Sequence, residues 1–256
     1  MEGTKERYFY NAHGHALSGQ IDRPFKHTIE VQAGTTLPTA GGYGSSRVCD
    51  FRLKEIASFK AAYTHVSGSL DEKSSSHTTL VSSAVEGLNI LDLVTADRVV
   101  ARASSQWTSG DKEPQITFLG SQVENLRIAG HRVDVELDGD LCLRLDTFAS
   151  LTKEFETNAN FRKIAEDPFQ TGQPQKFPGA NGVLLCSLVR DMKTTCPGIK
   201  RQGHAFIVPQ CGKIFVGEVL AEHGKRTLTM VRMELGSPVC GQIICTAVIA
   251  SGHHWP

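Results

Sequence analysis

The chain of 256 residues has no excess of either charge: 27 lysines and arginines stand against 27 aspartates and glutamates. Phosphate neutralisation dominates nucleic-acid affinity and normally demands a basic surplus. Basic residues adjoin here only in pairs, Arg162-Lys163, Lys200-Arg201 and Lys225-Arg226, so nucleic acid is not an expected partner. No apolar run approaches 18 residues, which excludes an obvious membrane helix. Met1 to Arg7 is followed by no apolar core, so no signal peptide is visible and a cytoplasmic location is favoured unless the chain has been trimmed. Seven cysteines are present, an odd count with no C-x-x-C. That argues against a secreted disulfide framework and suits reduced, mostly buried thiols. No G-x-S-x-G occurs, and no cofactor is implied.

What the sequence does contain is strand pattern. Ser46-Arg47-Val48-Cys49-Asp50-Phe51-Arg52-Leu53 matches Ser83-Ala84-Val85-Glu86-Gly87-Leu88-Asn89-Ile90, and both match Ser121-Gln122-Val123-Glu124-Asn125-Leu126-Arg127-Ile128. The shared form is S-x-V-x-x-[FL]-x-[LI]. Successive strand residues point to opposite faces, so the last two apolar positions share a side. The valine, three residues earlier, breaks that period, and a bulge or bend in each segment would bring all three to one face. An alternating run follows each segment, at Phe59–Tyr63, Val99–Ala103 and Val133–Leu137. The polar stretches from Ser67 to His77 and from Trp107 to Gln115 separate the units as turns.

The remainder divides readily. Residues 146–167 form the one helix candidate. Asp146 is its expected cap, Phe148, Leu151 and Phe155 its apolar stripe, and Asn158 and Asn160 the point where it could split in two. Asp167-Pro168 ends it. Residues 168–182 form a proline- and glycine-rich loop. Five further strands are expected at Val183–Arg190, His204–Val208, Lys213–Glu222, Arg226–Leu235 and Gln242–Ala250, with a hairpin at His223-Gly224-Lys225 and a fraying tail unless Trp255 docks. The expected fold is therefore mainly β: repeated strand units in a β-sandwich, a large twisted sheet or a β-solenoid, with a helix over 146–167. It reads as one domain, with possible β subregions at 1–145 and 183–256.

The segment from Val81 to Leu91, continued from Val94 to Ala103, resembles the repeated core of bacterial choice-of-anchor P family proteins over about residues 45–137. That resemblance implies β structure, bacterial origin and surface anchoring, and no reaction. The chain departs from it in showing neither an export signal nor an anchoring tail.

Candidate chemistry is sparse. His13 and His15 are two residues apart, on one face of a strand, and could begin a zinc site. Asp22, His65, His131 or His204 could complete it, although an isolated pair more often has no metal. Asp138-Gly139-Asp140 lacks the spaced oxygens of a calcium loop and reads as a hairpin turn before Leu141–Leu145. Cys186, Cys196 and Cys211 have His204 near in sequence, but structural thiols are the plainer reading. Gly41–Ser46 is rich in glycine and serine but leads into a strand, where a phosphate cradle would lead into a helix.

These features favour a non-catalytic binding, structural or self-assembling protein, with self-association or a carbohydrate or protein ligand as its partner. One alternative is a β-pore-forming toxin, the sole case that would involve a membrane, with Ser74–Ser83 rearranging into a hairpin. Another is a hydrolase-type enzyme whose site is assembled only by folding.

Overall fold

The structure is a computed structural model that describes residues 7–166 and 183–255. Strands β1 (Arg7–Arg23), β2 (His27–Gln32) and β3 (Thr35–Thr36) open the chain. The long strands β4 (Gly42–Leu53), β5 (Ala57–Asp71), β6 (Ser76–Ile90) and β7 (Val94–Thr108) follow. Next come β8 (Gln115–Thr117), β9 (Gln122–Glu124), β10 (Arg127–Ile128) and β11 (His131–Leu137), then helices α1 (Gly139–Arg144), α2 (Phe148–Thr157) and α3 (Ala159–Glu166). The last third holds β12 (Leu184–Ser187), β13 (Val189–Thr194), β14 (Lys200–Gln202), β15 (Ala205–Val208), β16 (Gly212–Glu222), β17 (Lys225–Leu235) and β18 (Cys240–Trp255).

Two antiparallel sheets of nine strands face one another. The terminal sheet runs β14-β15-β16-β17-β18-β1-β2, with β12 on β16 and β3 on β1. The meander sheet runs β13-β11-β10-β7-β6-β5-β4, with β8 and β9 both on β7. The fold is thus mainly β and sandwich-like, the first of the three architectures that the alternating pattern allows. The sheets meet on small residues. At Gly14 of β1, a Cβ would lie 2.9 Å from both Thr64 Cγ2 and Val81 Cγ2 across the gap. Buried Thr64 and Ser83 hydroxyls satisfy each other at 2.9 Å.

The break in the serine-led segments is a bend rather than a bulge. Strand pairing keeps its register through all three. Instead, the fifth residue of each segment takes left-handed φ: Asp50 (53°), Gly87 (65°) and Asn125 (50°). Register places these residues in one row across the sheet, in the order Asp50, Lys60, Gly87, Asp97, Asn125. Val48 and Phe51, Val85 and Leu88, and Val123 and Leu126 consequently all reach the core. The terminal sheet has a matching row, in the order Gly217, Met230, Thr246, Ala16, Ala33. Gly217 (64°), Thr246 (50°) and Ala33 (48°) are its left-handed members.

Five expectations need correction. The Ser67–His77 stretch is turn only between Asp71 and Ser76, because β5 and β6 extend their pairing into it. Val183–Arg190 is not one strand but β12 and the start of β13, which join different sheets. Asp138-Gly139 is not a hairpin turn: β11 pairs with β13, and Gly139 starts α1. The Asp138 amide donates to the Leu188 carbonyl and its carboxylate accepts from Arg190, so a distant strand outcompetes the local turn. The cap of α2 is Thr147 rather than Asp146, because the Asp146 carbonyl is engaged by the Ile116 amide. Glu113 completes that helix start by accepting from the Phe148 and Ala149 amides at 2.7 and 2.9 Å. The tail does not fray: β18 pairs with β1 as far as Trp255. The split at Asn158 does occur, between α2 and α3. The 168–182 loop and the Asp167-Pro168 stop lie outside the described residues. Phe155, Phe161 and Ala165 of α2 and α3 pack with Leu184 and Ala221 as a second apolar cluster on the terminal sheet. Among the described residues no helix is long and apolar enough to cross a membrane.

Candidate functional site

The outer face of the meander sheet holds the best-built polar surface. On β5, Ala62, Thr64 and Val66 are buried, so strand alternation turns Ala61, Tyr63 and His65 outward. Register sets Arg47 of β4 opposite Tyr63, and Glu86 of β6 opposite Ala61. Arg98 of β7 then faces Glu86, and Glu124 of β9 faces Arg98. Ala61 is small, and the larger side chains around it enclose an open depression of about 560 Å³. Arg47, Tyr63, His65 and Glu86 line it, with Ser45 and Ser46 at one side.

Tyr63 links the charges. Its phenol accepts from Arg98 Nη2 at 2.9 Å and donates to Glu86 Oε1 at 3.4 Å. Arg98 Nη1 also lies 4.0 Å from Glu124 Oε1. The Tyr63 hydrogen bond, more than the nearby carboxylates, raises the Arg98 pKa above its ordinary value, so the guanidinium stays charged. His65 lies beside the phenol, with ring centres 6.0 Å apart. Arg47 makes no hydrogen bond or ion pair among the described residues, which leaves a cation available in the depression. The surface therefore offers a fork-shaped donor, a carboxylate acceptor, an imidazole and an aromatic ring, fixed on a rigid sheet.

His13 and His15 lie side by side on β1, with ring centres 5.7 Å apart. His13 Nδ1 is 3.3 Å from the Thr35 carbonyl, and His15 Nε2 is 2.9 Å from Ser18 Oγ. Burial, with help from His13, pulls the His15 pKa down to about 4. Among the described residues no three His, Cys, Asp or Glu side chains converge as a metal site, so none of Asp22, His65, His131 and His204 joins the pair. Gly41 and Gly42 form the left-handed turn that leads into β4. Ser74 and Ser75 close a turn, and the rest of the Ser74–Ser83 run lies in β6, paired on both sides. Cys186 is buried in β12, while Cys196 and Cys211 are partly exposed.

Sequence reasoning missed a buried ionic cluster. His204 Nε2 lies 3.5 Å from Glu218 Oε1, and Arg232 binds both Glu218 oxygens. Arg232 also covers the Phe215 ring at 3.8 Å and reaches Glu234. Burial would push the Glu218 carboxyl up, but Arg232 and His204 outweigh it and hold the pKa below the ordinary value. No spacing signals this cluster, because the left-handed Gly217 is what turns Phe215 and Glu218 to the same face. Cross-strand pairing similarly assembles Tyr63, Glu86 and Arg98, which the sequence shows only as alternate strand residues.

Fold and surface together define a two-sheet β-sandwich with a preorganised polar depression on one outer face. A family model described as a domain of unknown function, DUF8256, matches residues 8–176, about two thirds of the chain, and again residues 152–222. The chain belongs to that family. No curated protein and no solved structure matches it.

Proposed function

We propose that the protein is a non-catalytic binding module that recognises a carbohydrate on the outer face of its meander sheet. The carrying observation is the open depression lined by Arg47, Tyr63, His65 and Glu86, in which Tyr63 donates to Glu86 and accepts from Arg98 beside the depression. Sugar hydroxyls both donate and accept, and they suit a surface that pairs guanidinium donors with a carboxylate acceptor. Tyr63 adds an apolar ring face for the C–H side of a pyranose. Held on paired strands, these groups lose little freedom on binding.

Glycan-array binding by the wild-type protein and by Tyr63→Ala tests this. Defined glycan signals that fall at least tenfold in folded Tyr63→Ala are expected. Absence of glycan binding, or binding indifferent to Tyr63→Ala, refutes the reading. Self-association is a second reading, favoured by β4, which ends its sheet with Tyr43 three-quarters exposed. Light scattering that shows a dimer abolished by Ser46→Pro would support it, and a monomer at high concentration would remove it.

A further inference from the structure

A second cavity, independent of the outer-face depression, opens at the end of the sandwich where β1 begins. Three cross-strand neighbours form its wall: Leu70 of β5 stands opposite His77 of β6, which stands opposite Trp107 of β7. The facing sheet fixes this wall from behind. The Tyr8 ring stacks on His77 with centroids 3.9 Å apart and planes 11° apart. Tyr10 Oη lies 2.8 Å from His77 Nδ1, which sets the orientation of the imidazole. Tyr8 also meets Trp107 edge-on at 6.4 Å. Burial raises the Tyr8 pKa to about 12, so its phenol stays neutral.

The cavity measures about 570 Å³ and is lined by Leu70, His77 and Trp107, with Ser75 and the 109–111 turn at the rim. That volume is in the ordinary range for a small-molecule site. Leu70 is 48% exposed, an apolar surface left at the opening. Asp111 supplies the only carboxylate among the described lining residues, and no lysine or arginine is among them. The Thr108–Asp111 turn holds it in place: the Asp111 amide donates to the Thr108 carbonyl, and Oδ2 accepts from the Thr108 amide at 2.9 Å. Oδ1 has no hydrogen bond or ion pair among the described residues.

An aromatic wall, an apolar rim and one anchored carboxylate select a flat ring carrying a positive charge. The ring gains stacking and apolar contact with Trp107, His77 and Leu70. An ammonium gains an ion pair with Asp111 and attraction to the indole face. We propose that this cavity binds aromatic amines, with the ring against Trp107 and the ammonium on Asp111.

The test is an NMR titration of labelled protein with tyramine as probe, and with 3-(4-hydroxyphenyl)propionate as its anionic counterpart. Saturable shifts of the Trp107 indole and the His77 ring are expected with tyramine, with half-saturation at about 1 mM or below. The propionate should bind at least tenfold more weakly. Asp111→Asn keeps an acceptor for the Thr108 amide, and Leu70→Lys places an ammonium at an exposed rim, so neither disturbs the core. Each should weaken tyramine at least tenfold. Absence of a saturable Trp107 shift, equal binding of both probes, or tyramine binding unchanged in both variants overturns the proposal.

Discussion

The two sheets bend by the same device built from different residues. In the meander sheet the left-handed positions are Asp50, Gly87 and Asn125, the residue types that enter that region at least cost. In the terminal sheet they are Ala33, Gly217 and Thr246, two of which resist it. The outer faces differ as well. The meander sheet carries its Arg98–Tyr63–Glu86 series in the open, whereas the terminal sheet buries Glu218 beneath Arg232 and His204. Bending is thus a property of the row, set by tertiary pairing, and local residue preference follows it on only one side of the molecule. Arg98, Tyr63 and Glu86 are also bonded to one another, but at an exposed surface, whereas Glu218 and its partners are closed off from solvent.

The largest expected effect sharpens this contrast. Arg232→Met leaves Glu218 buried without its main partner and should cost about 3–5 kcal/mol by urea unfolding. Arg98→Met on the open face should cost less than about 1 kcal/mol. Equal losses would show that the two faces are not different in kind. Glu218 has a lowered folded pKa, so its stabilisation is present above the ordinary carboxylate range and is lost as pH falls below that range through the lowered value.

His15 of the terminal sheet comes next. Its pKa falls from 6.5 unfolded to about 4 folded, so the unfolded state binds the proton first. Its contribution is complete above pH 6.5 and is withdrawn as pH falls towards 4, by about 3 kcal/mol at most. Unfolding midpoints of the wild type and His15→Gln, compared at pH 7.5 and 4.5, should converge at the lower pH. A constant difference would remove the titration argument.

Gly14→Val tests the gap between the sheets. Its Cβ would press on Thr64 and Val81, and the loss should be about 2 kcal/mol. The smallest pair addresses the bend rows directly. Asn125→Ala should cost about 1 kcal/mol, whereas Ala33→Gly should stabilise by about 0.5 kcal/mol, because each changes how readily a left-handed residue is accommodated. The same sign for both would mean that local conformational preference does not govern the rows.

The same comparison explains what was legible in the sequence. Val48, Val85 and Val123 stand three before their partner apolar residues, and that broken period shows the meander-sheet bend directly. The terminal-sheet bend is silent, since Ala33 and Thr246 are not residues that announce left-handed backbone. Strands β15 to β17 could be read to within a residue or two from alternation and the His223-Gly224 turn. Asp138-Gly139 misled because its strongest partners, Leu188 and Arg190, are some fifty residues away. The face positions of Tyr63 and His65 follow from period two, but their grouping with Glu86 and Arg98 depends on register, which no single strand encodes.

Strand β1 is hydrogen-bonded to β18 along almost its whole length, from Arg7 opposite Trp255 to Arg23 opposite Cys240. During ribosomal synthesis, β1 therefore emerges more than two hundred residues before its principal neighbour exists. The meander sheet can assemble from successive hairpins as it leaves the exit tunnel, but the terminal sheet must wait for the last strand. In that interval the edge of β1 that β18 will pair stays open, while its core face can already be covered by β5 and β6.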